Sequence, residues 1–198
     1  APTRPYTSRL IRTFGKTESQ VASLLEPLPA DPRVHIAYRA HFPEIRVGVH
    51  VQEDDPAAAR EVLDGYADQV RGLLGPIVFS EDPEIGFAEA VGRALGARGE
   101  TIATAESCTG GLIGKLLTDV AGSSAWFVEG LVTYSNAAKA QRLGVSERTL
   151  AEHGAVSEAV AREMAERVRR LAGTTYGVAV TGIAGPGGVD GARAVGIG

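Results

Sequence analysis

A chain of 198 residues, 44% apolar and carrying a formal charge of −4, is long enough to bury one or two cores. It has no overall basic field, so tight binding to nucleic acid is not expected, and no apolar run approaches the roughly 20 residues needed to span a bilayer. Its single cysteine, Cys108, excludes an internal disulfide framework and fits a reducing, cytoplasmic setting, and no signal peptide is evident.

In chain order, residues 7–15 form a plausible strand. A helix is expected over 17–28, where Thr17 and Gln20 have capping-box spacing and Val21, Leu24 and Leu25 make an apolar stripe. Two alternating strands, 34–42 and 45–51, are joined by a tight hairpin at Pro43-Glu44, and the second places Ile45, Val47, Val49 and Val51 on one face. A helix over 54–75 has Pro56 in its first turn and Gly75 at its end, and a short strand, 76–80, follows. The order βαββαβ predicts a small split α/β sandwich for 1–80.

The polar stretch 80–86, with its proline, is the best domain boundary. Only 5 of the 25 glycines precede residue 80, so tight turns and close backbone approaches concentrate in the second part, 81–198. There an amphipathic helix is expected over 85–99, a strand over 101–107, a helix over 108–122 and a strand over 126–135 that contains a glycine. A short helix over 136–144, one or two helical turns over 146–154, a strong helix over 157–173 and a buried strand over 175–182 complete it. Alternating strands and helices predict a sheet covered by helices on both sides. The sequence begins at Ala1 and ends on AVGIG, the opening of another buried strand, so a piece of a longer protein, incomplete at its C-terminus, is expected.

Three stretches carry candidate chemistry. In AESCTGG, 105–111, a strand runs into a glycine-flanked helix start whose free N–H groups could bind an anion; alternatively, Ser107 or Thr109 caps the helix. Lys115 comes too late for a P-loop. Cys108 has only His153 in its own domain as a possible base and reads as a small buried thiol. The four histidines, His35, His41, His50 and His153, lack metal-ligand spacing, so no metal is expected, and the first three read as surface residues.

The second stretch, GSSAWFVEGLVTYSNAAKAQ, 122–141, brings together Ser123, Ser124, Tyr134 and Lys139. A serine becomes a nucleophile when a base takes its proton, and a neutral lysine among alanines can be that base. The intervening strand of about nine residues spans roughly 30 Å, so Ser124 and Lys139 meet only through a strong bend or through a second subunit. The bland alternative is a capping serine, a core tyrosine and a solvated lysine. The i,i+5 spacing of Tyr134 and Lys139 gives a hydride-transfer reading no support. The third stretch, VTGIAGPGG, places Thr181 at the end of a buried strand before a glycine-rich turn, where open α/β sheets bind ligands; a plain Gly-Pro loop is the alternative.

Taken together, TAESCTGG, GSSAWFVEGLVTYSNAAKAQRLGV, HGAVSEAVAREMA and VTGIAGPGG, in that order, resemble the C-terminal domain of the CinA family over about 84–198. Residues 1–80, with YRAHFPEIRV, resemble the family's KH-type middle domain, although GKTE at 15–18 lacks a GxxG, which weakens any nucleic-acid role. The molybdopterin-binding-like domain of longer members, linked to ADP-ribose pyrophosphatase activity, has no counterpart here. The resemblance implies hydrolysis of nicotinamide mononucleotide to nicotinic acid mononucleotide and ammonia, without a cofactor, by a homodimer. Carried onto this sequence, it implies Ser124 as nucleophile, Lys139 as base, and Tyr134 and Thr181 as assisting groups; if the chain turns there, backbone N–H groups of 123–125 are the expected oxyanion donors. Substrate walls would come from Glu106, Ser107, Thr109, Gly110, Gly111 and Ser123 and from Gly182, Ile183, Ala184 and Gly185. It also implies a sheet continuing past residue 198, with an arginine at the site in that continuation, and ARAVG at 192–196 replaces the commoner Lys-Pro-Val-Gly. The competing reading is a non-catalytic nucleotide-binding or DNA-uptake accessory module.

Overall fold

The computed structural model describes residues 6–41 and 43–183 together with the backbone of 195–197. Contacts divide the chain into two units, Ala1–Ala90 and Val91–Gly198.

In the first unit the expected βαββαβ order is present. The strands are β1 (Tyr6–Phe14), β2 (Val34–His41), β3 (Glu44–Gln52) and β4 (Val78–Ser80), and the helices are α1 (Glu18–Leu24) and α2 (Pro56–Leu74). The sheet is antiparallel throughout, in the order β2-β3-β1-β4. Thr17 caps α1 through the predicted capping box with Gln20. The helix stops at Leu24, earlier than expected, and Pro27 disfavours helical backbone at the residue before it. Asp55 accepts the Ala57 N–H at the start of α2, Pro56 occupies the first turn, and Gly75 ends the helix at φ +56°. One face of the sheet is apolar: Ile11, Val47, Val49 and Val51 are fully buried with Leu63, Ala67, Val70 and Leu74 of α2. Burying one such aliphatic side chain contributes roughly 1.5–3 kcal/mol.

The division falls ten residues beyond the expected boundary, within α3 (Phe87–Arg98). Phe87 stacks on Phe14 and meets the edge of Phe79, which fastens the first turn of α3 to the first unit.

The second unit contains β5 (Ile102–Glu106), α4 (Leu112–Thr118), β6 (Phe127–Val132), α5 (Asn136–Ala138), α6 (Glu147–His153), α7 (Glu158–Ala172), β7 (Tyr176–Thr181) and β8 (Val195–Ile197). Its sheet runs β6-β5-β7-β8, with β5, β6 and β7 parallel and β8 antiparallel to β7. Central β5 is buried along its whole length. Ala103 and Ala105 belong to the core formed with Val160, Met164 and Val168 of α7, while Thr104 and Glu106 lie on the α4 side. Helices therefore cover both faces, as the alternation predicts. The α4 helix starts four residues later than expected because Gly110 and Gly111 take φ of +62° and +100°, a left-handed turn that no helix continues through. Among the described residues no helix is long and apolar enough to cross a membrane.

Helix and sheet approach closely at Gly177 of β7. A Cβ there would lie 2.2 Å from the Ala165 carbonyl oxygen and 2.7 Å from Arg169 Cβ, both on α7. Gly177→Ala is expected to push α7 off the sheet and destabilise the protein by about 1–3 kcal/mol, read as a lowered midpoint in denaturant unfolding.

Candidate active site

Parallel pairing decides which side chains can meet. Glu106 lies opposite both Val132 of β6 and Val180 of β7, so the carboxyl ends of the three strands are level. The ladder extends one residue further: Ser107 N–H donates to the Val180 carbonyl at 3.0 Å, and Thr133 N–H donates to the Glu106 carbonyl at 2.8 Å. Ser107 is thus fixed at the end of β5, beside the end of β6.

After β6 the chain turns through Ser135, whose hydroxyl caps the next helical turn by accepting from Ala138 N–H at 3.0 Å. Lys139 lies one turn in, at the start of a π turn, Lys139–Leu143. Helical side chains tilt toward the helix N-terminus, so this one reaches back to the strand end. Its Nζ lies 2.9 Å from Ser107 Oγ, 2.9 Å from the Thr133 carbonyl and 3.0 Å from the Tyr134 carbonyl. Lys139 is 1% exposed, and no carboxylate among the described residues pairs with it. Burial pushes its pKa below the ordinary lysine value, against the opposing influence of nearby Cys108.

The three contacts suit a neutral amine. Two N–H groups donate to the two carbonyls, and the lone pair faces the Ser107 O–H. They also suit the ammonium form, whose third N–H donates to Ser107 Oγ while that hydroxyl turns to the Tyr134 carbonyl 3.4 Å away. A base that takes and returns a proton needs both arrangements.

Glu106 has a different task from the expected one. It is 2% exposed, and its carboxylate accepts N–H groups from Gly111 (3.1 Å), Ile113 (3.0 Å) and Gly114 (2.8 Å). It caps α4 from the preceding strand, so neither Ser107 nor Thr109 does so, and the N–H groups of Gly111, Ile113 and Gly114 are already used. Thr109 Oγ1 and Thr133 Oγ1 are buried without a partner among the described residues. Cys108 is half-buried rather than buried.

Other expected positions are dispersed. Ser124 does not meet Lys139 within the chain. It is exposed, in the short 3-10 turn Ser123–Ala125 that precedes β6, and the six residues of β6 alone rise about 20 Å. Lys139 follows the other end of that strand, and nothing in β6 folds back. Of the expected oxyanion donors, Ser123 N–H donates to the Val120 carbonyl and Ala125 N–H to the Gly122 carbonyl. The Tyr134 side chain is 63% exposed, and it is the backbone carbonyl that touches the amine. Thr181 is buried and donates to the Ala155 carbonyl at 2.7 Å, tying the α6–α7 connection to the end of β7. Gly182 and Ile183 follow it; Ala184 and Gly185 lie outside the described residues.

Sequence reasoning placed Ser107 among substrate contacts and missed its pairing with Lys139. The available signal was topological: in a parallel βαβ unit, residues just after one strand meet residues just after the next.

Residues 85–197 match the family described as CinA C-terminal domain, and residues 8–80 match the Damage-inducible protein CinA KH domain. The chain belongs to the CinA family. Among curated relatives, a CinA-like protein of Desulforapulum autotrophicum is 44% identical over 96% of this chain, and one of Geotalea uraniireducens is 42% identical over 96%. In each case the match covers 45% of the relative, so the chain spans about half the length of these relatives. Among solved structures, the competence/damage inducible protein CihA from Agrobacterium tumefaciens superposes with a TM-score of 0.51 at 47% identity, over 52% of this chain and 63% of that one. A CinA superfamily protein from Escherichia coli also gives 0.51, at 38% identity, over 54% and 63%.

Glu106→Gln tests the capping role. The amide has one acceptor oxygen, so a buried N–H of α4 loses its partner. A loss of roughly 1–3 kcal/mol is expected, measured as a drop in thermal midpoint.

Proposed function

We propose that the second unit is an amidohydrolase in which Ser107 is the nucleophile and Lys139 the general base, acting on the carboxamide of nicotinamide mononucleotide. The observation that supports it is the buried, unpaired amine 2.9 Å from the Ser107 hydroxyl. The substrate is inferred from the family resemblance. A purely binding module gives no reason to bury an amine without a counter-charge.

The neutral amine takes the Ser107 proton as Oγ attacks the carboxamide carbon. The carbonyl oxygen becomes an oxyanion at a strand-to-helix turn. There the N–H groups of Cys108 and Thr109 have no acceptor among the described residues, and they are the nearest in sequence to the nucleophile. The Lys139 ammonium then protonates the departing nitrogen. The C–N bond breaks, ammonia leaves and a Ser107 ester remains. Water attacks that ester, giving its proton to the amine, and the lysine returns the proton to Oγ as nicotinic acid mononucleotide departs. The Thr133 and Tyr134 carbonyls hold the amine through the cycle. A cytoplasmic site of action belongs to the same reading.

Ammonia release from nicotinamide mononucleotide checks these assignments. Ser107→Ala is expected to lower kcat by at least a factor of about 10³ while thermal unfolding stays cooperative, and Lys139→Arg by roughly 10²–10⁴, since arginine keeps the charge but yields no free base. Ser124→Ala should leave the rate near that of the unmodified protein. The reverse pattern, with Ser124 essential and Ser107 dispensable, excludes this dyad.

The pH profile gives an independent reading. Activity requires deprotonated Lys139, so kcat/KM should rise with pH, and its midpoint should fall below the ordinary lysine value of 10.5 because burial lowers the pKa. A rising limb centred at or above that value would show that the amine is not the base.

A further inference from the structure

The outer face of the first sheet, opposite α1 and α2, includes three consecutive cross-strand rows. The register places His35 beside His50 and His50 beside Ser8, then Ala37 beside Gly48 and Gly48 beside Leu10, then Arg39 beside Arg46 and Arg46 beside Arg12. The small middle row makes the floor of a hollow of about 760 Å³, whose lining includes Ser8, Leu10, Ala37, Arg39, Gly48 and His50. That volume lies within the range of small-molecule pockets.

The arginine row carries an excess of positive charge. Glu44, 4% exposed, accepts from Arg12 Nε (2.8 Å) and Nη2 (2.9 Å) and from Arg46 Nε (3.0 Å) and Nη2 (2.7 Å). Burial pushes its carboxyl upward, but these hydrogen bonds outweigh burial and hold it below its ordinary value. Both of its oxygens are in use. Arg39, directly opposite Arg46, is exposed and has no acceptor among the described residues. The row thus sets three guanidiniums against one carboxylate, which binds two of them, Arg12 and Arg46, and like charges directly opposite on a sheet are destabilising. Glu81, also lining the hollow, is taken by Arg71, and Arg9 by Asp64.

The opposite row offers a flat ring. Ser8 Oγ lies 2.7 Å from His50 Nδ1, and His35 stacks beside His50 at 6.3 Å between centroids and 30° between planes. A Cβ on Gly48 would lie 2.5, 3.2 and 3.3 Å from Nε2, Cε1 and Cδ2 of His50, so the imidazole lies over the glycine. Four residues of strand, about 13 Å, separate this ring from the arginines. A heterocycle, a ribose and a phosphate fill that span.

The geometry points to a binding site for a nucleoside 5′-phosphate on this face, with the phosphate on Arg39 and Arg46 and the base against His50 over the Ala37–Gly48 floor. It is separate from the Ser107–Lys139 site and independent of the reaction proposed there. A nucleic-acid strand is the poorer fit: the chain carries a net charge of −4, and Arg39, which has no acceptor among the described residues, lies at one end of one hollow.

The test is NMR titration of the protein with adenosine 5′-monophosphate, following the imidazole C–H signals of His35 and His50, with His153 as an internal reference. Saturable shifts at His35 and His50 are expected, with His153 unmoved. Inorganic phosphate and adenosine should each bind at least about tenfold more weakly, and the exposed-site variant Arg39→Gln should weaken nucleotide binding by a similar factor. Gly48→Ala should also weaken it by displacing the ring. The proposal fails if no saturable shift appears at His50, if Arg39→Gln binds unchanged, or if a single-stranded oligodeoxynucleotide binds more tightly than the mononucleotide.

Discussion

A lysine amine enclosed by protein, with no counter-charge among the described residues, is the constraint on which the second unit turns. Burying an unpaired ammonium is costly enough that such groups lose their proton or acquire partners. Lys139 has partners, but they are dipoles: one hydroxyl and the carbonyls of two consecutive residues. Those dipoles satisfy every N–H without supplying negative charge. They therefore leave the neutral form accessible, whereas a carboxylate in the same place would lock the amine as an ammonium.

The rest of the unit keeps that arrangement level and closed. Parallel ladders hold the ends of β5, β6 and β7 at one height. Glu106 anchors the turn after β5 by binding three N–H groups of α4, and Thr181 anchors the α6–α7 connection to the end of β7. Each of these residues resembles a ligand-binding group when read alone. Their hydrogen bonds hold the adjoining turns and use up polar atoms that would otherwise compete for the serine or the amine. On this view Glu106 and Ser107, adjacent in sequence, divide the work between holding the helix and presenting the hydroxyl.

Local patterns carried most of the fold. The Thr17–Gln20 capping box, Pro56 at the start of α2 and the alternation of β3 are short-range signals set by backbone geometry, and each lies where it was expected. The site was harder to read because it depends on contacts between distant segments. Lys139 stood out by its alanine neighbours, but its partner, Ser107, is 32 residues away and becomes its neighbour only through parallel pairing of β5 with β6. Ser124, close in sequence, is carried away by the extended strand between them.

The choice of lysine follows from the same geometry. His153 is the one histidine in this unit, and it is exposed at the end of α6. An imidazole there would need an orienting group to fix its tautomer. A primary amine needs only its two N–H directions fixed, and the carbonyls of Thr133 and Tyr134 do that with backbone atoms no substitution removes. Once those directions are set, the lone pair has one direction left, toward Ser107. The precision of the base thus depends on the turn from β6 into the Ser135-capped helix, which places both carbonyls and, one turn later, the lysine itself.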